Sequence, residues 1–242
     1  MLTDLAERFA PHSLSGILQT HYHADHAQGL LHLRWGQGLR IAVHGPADPD
    51  CFADLFKHPG ILDFSQPFRA FERRQWGSLS VTAVALNHSK PTFGYLLEEH
   101  GNAAPGLPPL SPEHARSPAL DVQPPQRSTR PVRPLGQRQS GPPPGAGRRI
   151  AYLTDTLGVP SATAAFLRDR PLDVLVLDCS HAPQSQAPRN HNDLTRALEV
   201  IEQLQPAATV LTHIGHDFDA WLLAHPAALP PGVSLAWDGR VL

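Results

Sequence analysis

His21-Tyr22-His23-Ala24-Asp25-His26 packs four metal-binding side chains into six residues. Imidazole suits Zn, Mn or Fe, and a carboxylate suits the harder of these. Just upstream, Ser15-Gly16-Ile17-Leu18-Gln19-Thr20 reads as a short buried strand. The cluster therefore sits where a strand ends and a helix begins. Alternate residues of an extended stretch share a face, which lets His21 and His23 grip one cation. A turn into helix near Ala24 brings Asp25 and His26 round to a second. The bland alternative is a histidine-rich surface loop, but such a loop has no reason to follow this order of ligand types.

Further ligands are available downstream. Val81-Thr82-Ala83-Val84-Ala85-Leu86 alternates like a strand and runs into Asn87-His88-Ser89-Lys90. Arg149-Ile150-Ala151-Tyr152-Leu153 runs into Thr154-Asp155-Thr156, and Ala208-Thr209-Val210-Leu211 runs into Thr212-His213. Each time a His or Asp follows an apolar strand, and in open α/β sheets ligands bind outside strand ends. A lone histidine is more often structural; three such positions after the first cluster argue for a site.

The set His21, His23, Asp25, His26, His88, Asp155 and His213 resembles the ligand set of the metallo-β-lactamase superfamily. That resemblance implies an α/β fold, an αββα sandwich with a dinuclear site at one edge. It implies that His21, His23 and His88 hold one metal, that Asp25, His26 and His213 hold the other, and that Asp155 bridges them. Longer blocks resemble the PhnP-type phosphodiesterase branch of that superfamily. They include Leu31-His32-Leu33-Arg34-Trp35-Gly36, Leu86-Asn87-His88-Ser89-Lys90, Asp178-Cys179-Ser180-His181, Arg189-Asn190-His191 and His213-Ile214-Gly215-His216-Asp217-Phe218. This narrower resemblance implies hydrolysis of 5-phosphoribosyl 1,2-cyclic phosphate to ribose 1,5-bisphosphate in the carbon–phosphorus lyase pathway of phosphonate catabolism. It also implies a homodimer.

Two divalent cations, with Mn²⁺ expected and Zn²⁺ or Fe²⁺ as alternatives, leave such a site net positive after Asp25 and Asp155 are counted. A positive site suits an anionic phosphodiester, and paired metals activate a water for in-line attack. The leaving oxygen then needs a proton. His191 is the expected donor, standing at the mouth of the amphipathic helix Leu194, Ala197, Leu198, Ile201, Leu204, with Asn192 or Asp193 as its cap. The resemblance assigns the same role to the histidine of the Arg-Asn-His block. Asp25 is expected to orient the attacking oxygen as well as to bind metal. Lys90, Arg189 and Lys57 are candidates for a second substrate phosphate, and Ser89, Ser180 and His181 for hydrogen-bonding support of the ligands.

The chain has 242 residues, enough for one hydrolase domain with a real core, and a net charge of −2. That charge supplies no global basic field for nucleic acid. No apolar run is long enough to span a membrane, the first residues lack the regions of a signal peptide, and two cysteines make no disulfide framework. The cytoplasm is the expected compartment. Residues 101–147 hold about half of the 26 prolines and almost no large apolar residues, which predicts a disordered insertion at the tip of a hairpin between Thr92–Leu97 and Arg149–Leu153. Compared with the resembling family, the chain is expected to lack the first N-terminal strands, and with them the cysteines that would join His216 in a structural metal site. Competing expectations are a tRNA 3′-processing-like nuclease, a thioester or lactone hydrolase, and an inactive remnant.

Overall fold

The computed structural model describes residues 14–100, 147–186 and 188–241. The insertion, apart from residue 147, and the chain's first thirteen residues lie outside them. Two sheets face each other. The smaller is parallel, in the order β1 (Ile17–Leu18), β2 (Ile41–His44), β3 (Leu62–Asp63). The larger has seven strands in the order β10-β9-β8-β7-β6-β5-β4. Here β4 (Arg73–Trp76), β5 (Leu79–Ala85), β6 (Phe93–Glu99) and β7 (Arg149–Leu153) form an antiparallel meander. The strands β7, β8 (Val174–Asp178), β9 (Ala208–Thr212) and β10 (Val233–Leu235) then run parallel. The expected hairpin is present, with Leu96 opposite Ala151 and Glu98 opposite Arg149.

Helices cover both outer faces. α1 (Ala24–Leu33) and α2 (Ala53–Lys57) pack on the small sheet, where Tyr22, Ala27, Leu30, Ile41, Val43, Leu55 and Leu62 form one core. α3 (Ser161–Arg168), α4 (Leu194–Leu204) and α5 (His216–Ala224) pack on the large sheet over Leu96, Leu153, Leu175, Leu177 and Leu211. Strand alternation divides the large sheet between two layers. Val84 and Leu96 face the helices, while Val81, Ala83 and Tyr95 face the small sheet and meet Phe68. The arrangement is the expected αββα sandwich.

The topology places the site. β5 runs parallel to β7 because each is antiparallel to β6, so the C-terminal ends of β5, β7, β8 and β9 share one edge of the sheet. His88, Asp155, Asp178 and His213 stand at those four ends. The small sheet delivers the His21–His26 cluster to the same edge through the short connection from β1 into α1.

Candidate metal centre

Strand β1 is shorter than the predicted Ser15–Thr20. Gln19, Thr20 and His21 have already left it, and α1 begins at Ala24 with His23 as its extended N-cap. The side chains of His21 and His23 therefore project before the helix, and those of Asp25 and His26 from its first turn. His88, two residues beyond Leu86, completes the first group. The Nε2 of His21 lies 3.0 Å and that of His88 3.1 Å from Nδ1 of His23. The second group is Asp25, His26, Asp155 and His213, whose donor atoms lie within 4.8 Å of one another. Nε2 of His26 is 3.1 Å from Asp155 Oδ2 and 3.3 Å from Asp25 Oδ2, and Nε2 of His213 is 3.5 Å from Asp155 Oδ1. Asp155 also shares a donor cluster with His88 and His191, so it stands between the two groups.

These donors fit cations. The separations of 3.0 and 3.1 Å from the His23 nitrogen to those of His21 and His88 are near the edge of about 3.3 Å expected for tetrahedral Zn–N bonds of 2.0–2.1 Å. Burial lowers the His21 imidazole to about 3, and burial also lowers His88, so both rings are held neutral, as a metal ligand must be. At His26 burial disfavours the cation, but the hydrogen bond and charge of Asp155, helped by Asp25, outweigh it and raise the ring. At Asp155 burial opposes ionisation, yet the His26 hydrogen bond and the surrounding imidazoles hold the carboxyl well below its usual range.

Two of the rings are tied from behind as well. His88 Nδ1 meets the Asn190 carbonyl at 3.2 Å, and His213 Nδ1 meets Ser180 Oγ at 2.8 Å. Ser180 in turn donates to Asp178 Oδ1 at 3.0 Å, so it accepts from His213 and leaves Nε2 of that ring free to face the second group. Ser180, a candidate for supporting the ligands, is hydrogen-bonded to His213. Asp155, Asn190 and His213 are non-glycine residues with φ of 57°, 66° and 60°. Such left-handed backbone costs roughly 1–2 kcal/mol per residue and clusters at functional sites.

His191 comes from the loop before α4. Its Nδ1 donates to Asp178 Oδ2 at 2.9 Å, and its ring stacks on His213 with centroids 4.7 Å apart. The bond to Asp178, against the opposing effect of burial, raises the His191 imidazole, so it holds its proton to higher pH than a free ring. Asp178 stands in one of the resembling blocks, but sequence reasoning gives it no role. It is fully buried, and it also accepts from the Thr156 backbone N–H at 2.9 Å. The signal was present, because Asp178 ends an apolar strand as Asp155 and His213 follow theirs. Of the two candidate caps, Asp193 caps α4 by accepting from the Arg196 N–H, while Asn192 instead ties Gly158 to the Asp178 carbonyl.

A cleft of about 430 Å³ opens beside His191 and His213, lined also by Ser180, His181, Ile214, Gly215, His216 and Asp217. His216 is the exposed first residue of α5 and joins no metal-binding group among the described residues. Lys57, Lys90 and Arg189 are exposed and outside the lining of this cleft. Among the described residues their side chains make no hydrogen bond or ion pair, so the geometry does not gather them into a phosphate subsite.

A family model described as the beta-lactamase superfamily domain matches residues 3–105 and 114–214. The chain belongs to that superfamily. Its hydrolase fold, in the metallo-β-lactamase form, and a His/Asp cluster suited to divalent metals go together here. Among curated proteins, ribonuclease Z of Acaryochloris marina is 28% identical over 256 residues, spanning 93% of this chain and 78% of the relative. Ribonuclease Z of Methanosarcina acetivorans is 27% identical over 224 residues, spanning 84% and 70%. Among solved structures, a diphosphatase from the PhnP family aligns with a TM-score of 0.61 at 21% identity, over 98% of this chain and 74% of the other. The short form of human tRNase Z aligns with a TM-score of 0.60 at 17% identity, over 100% and 83%. The two structural likenesses show the shared fold. Among the described residues, no helix is long and apolar enough to cross a membrane.

Proposed function

We propose that this chain is a metal-dependent phosphodiesterase acting on a phosphodiester carried by a ribose. The observation that supports it most is the pairing of two adjacent donor groups with a proton-holding histidine. His21, His23 and His88 would hold one divalent cation, and Asp25, His26 and His213 the other, with Asp155 shared. Bound there, the cations would supply Lewis-acid polarisation of a phosphoryl oxygen and activation of a water. The protein's own part is positional. Ser180 and Asn190 fix the rings of His213 and His88. Asp25, whose side chain is 63% exposed, faces solvent at the site and can orient an attacking oxygen. His191, charged through Asp178, holds a proton on Nε2 for the departing oxygen, a general-acid contribution worth about 10²–10⁴ in rate.

For the substrate we favour a small cyclic phosphodiester, 5-phosphoribosyl 1,2-cyclic phosphate, opened to ribose 1,5-bisphosphate as a step of phosphonate catabolism. Its support is the run of sequence blocks around the site, together with a net charge of −2 that gives no basic field for RNA. A second reading has its own support: the curated relatives are ribonucleases Z, so a tRNA 3′ end is the competing substrate. The two separate in one experiment. Purified protein loaded with Mn²⁺ or Zn²⁺ is given the cyclic sugar phosphate, followed by ³¹P NMR, and in parallel a precursor tRNA with a 3′ trailer. Conversion to the bisphosphate with intact tRNA supports the first reading. Trailer removal with untouched sugar phosphate replaces it by the second, and inertness toward both and toward bis(p-nitrophenyl) phosphate sinks the phosphodiesterase proposal.

A further inference from the structure

Gln19 is buried, binds no metal, and touches both halves of the site. Its side-chain amide nitrogen donates to the His21 carbonyl at 2.6 Å and to the His26 carbonyl at 3.1 Å. An amide nitrogen has two N–H donors, and here both are used across the turn that separates the groups. One carbonyl belongs to the buried ligand of the first group; the other belongs to a ligand of the second. Gln19 thus closes the His21–His26 loop from inside.

The same residue is anchored to both sheets. Its backbone N–H donates to the His44 carbonyl on β2 at 2.9 Å. Its carbonyl accepts from the Tyr95 hydroxyl on β6 at 2.7 Å, and that hydroxyl also reaches the His44 carbonyl at 3.0 Å. A side chain at Gly45 would intrude here, because a Cβ there would lie 2.8 Å from the Gln19 carbonyl oxygen and 3.0 Å from Gln19 Cβ. Close approach of β2 is therefore built into this corner. With its backbone immobilised from two directions, the Gln19 amide has little freedom to follow a shifting loop.

We propose that Gln19 is a positioning residue that sets the spacing between the two cation sites. The inference rests on the two-cation reading above. Metal–ligand distances tolerate errors of only about 0.2 Å. Losing a group that orients the ligands typically weakens metal binding about 10–100-fold. A tie linking the two groups should therefore act on the second cation to bind more than on the first.

The test is metal binding by the full chain, with Zn²⁺ and Mn²⁺ each used alone, read by equilibrium dialysis and calorimetry. Melting temperatures of the metal-free proteins are recorded alongside. Wild type should take two equivalents. Gln19→Met, close in size but without the amide, should keep the first and bind the second about 10–100-fold more weakly. Gln19→Glu, which turns acceptors toward both carbonyls, should be at least as impaired. If Gln19→Met does not fold, Gln19→Asn, whose amide is one methylene short, is read the same way. A folded Gln19→Met with both affinities unchanged overturns the proposal. So does equal weakening of both affinities together with a lowered melting temperature, which is the mark of a merely structural role. Wild type binding fewer than two equivalents would instead remove the two-cation reading, and the role of Gln19 with it.

Discussion

His21, His23 and His88 make a group of three imidazoles, with His21 fully buried. Asp25, His26, Asp155 and His213 make a group with two carboxylates, in which the Asp25 side chain is 63% and that of His213 31% exposed. The first group has its nitrogens preset, and burial keeps the His21 and His88 rings unprotonated. The second holds its geometry partly through His26–carboxylate attraction, which an entering cation must displace. Under the two-cation proposal, this difference predicts a tight, imidazole-selective first site and a more exchangeable, oxygen-rich second site. Solvent reaches the second group through Asp25 and His213.

The contrast can be broken most severely at its buried end. His21→Ala should abolish turnover, a loss beyond the roughly 10⁴-fold ceiling of a single proton-transfer group, and metal analysis should show the first equivalent gone. His191→Ala leaves both donor groups whole, so it should keep two equivalents while kcat falls about 10²–10⁴-fold. Steady-state kinetics beside metal content separates these two variants.

A smaller and more diagnostic effect is expected at Asp178. Asp178→Asn removes the charge that raises His191 and should lower turnover about 10–100-fold. The sign of its pH effect is fixed. His191 acts while protonated, so activity falls as pH rises through its pKa. Without the Asp178 charge that pKa drops, and the alkaline limb of the rate profile should move to lower pH. An unmoved limb would separate Asp178 from the proton donor. Least of all, Asp193→Ala removes the cap of α4 and the hydrogen bond from the Gln184 N–H. It should cost about 1 kcal/mol, or roughly 2–4 °C in melting temperature for a domain of this size, with the metal ratio unchanged.

Much of this site was legible in the chain. All seven expected ligand residues fall into the two groups anticipated, because ligand type and strand-end position are local features that sequence displays. Strand β7 has its expected bounds, and α4 its expected apolar face. What stayed hidden depends on contacts distant in sequence. Asp178 acquires its role only when β8 lies beside β7 and the 188–193 loop folds over it. Strands β2, β3 and β4 are too short to announce themselves by alternation. β1 keeps two residues because the chain beyond Leu18 bends into the His21–His26 turn. The left-handed backbone at Asp155 and His213 has no sequence signature, since neither is glycine.

The most direct single measurement is a metal titration of the stripped chain with phosphodiester turnover followed at every step, using bis(p-nitrophenyl) phosphate as the reporter. The predicted result is binding of a first equivalent with little turnover, then activity that rises with the second. Full turnover at one equivalent, or none at two, would contradict a centre built from two unequal halves.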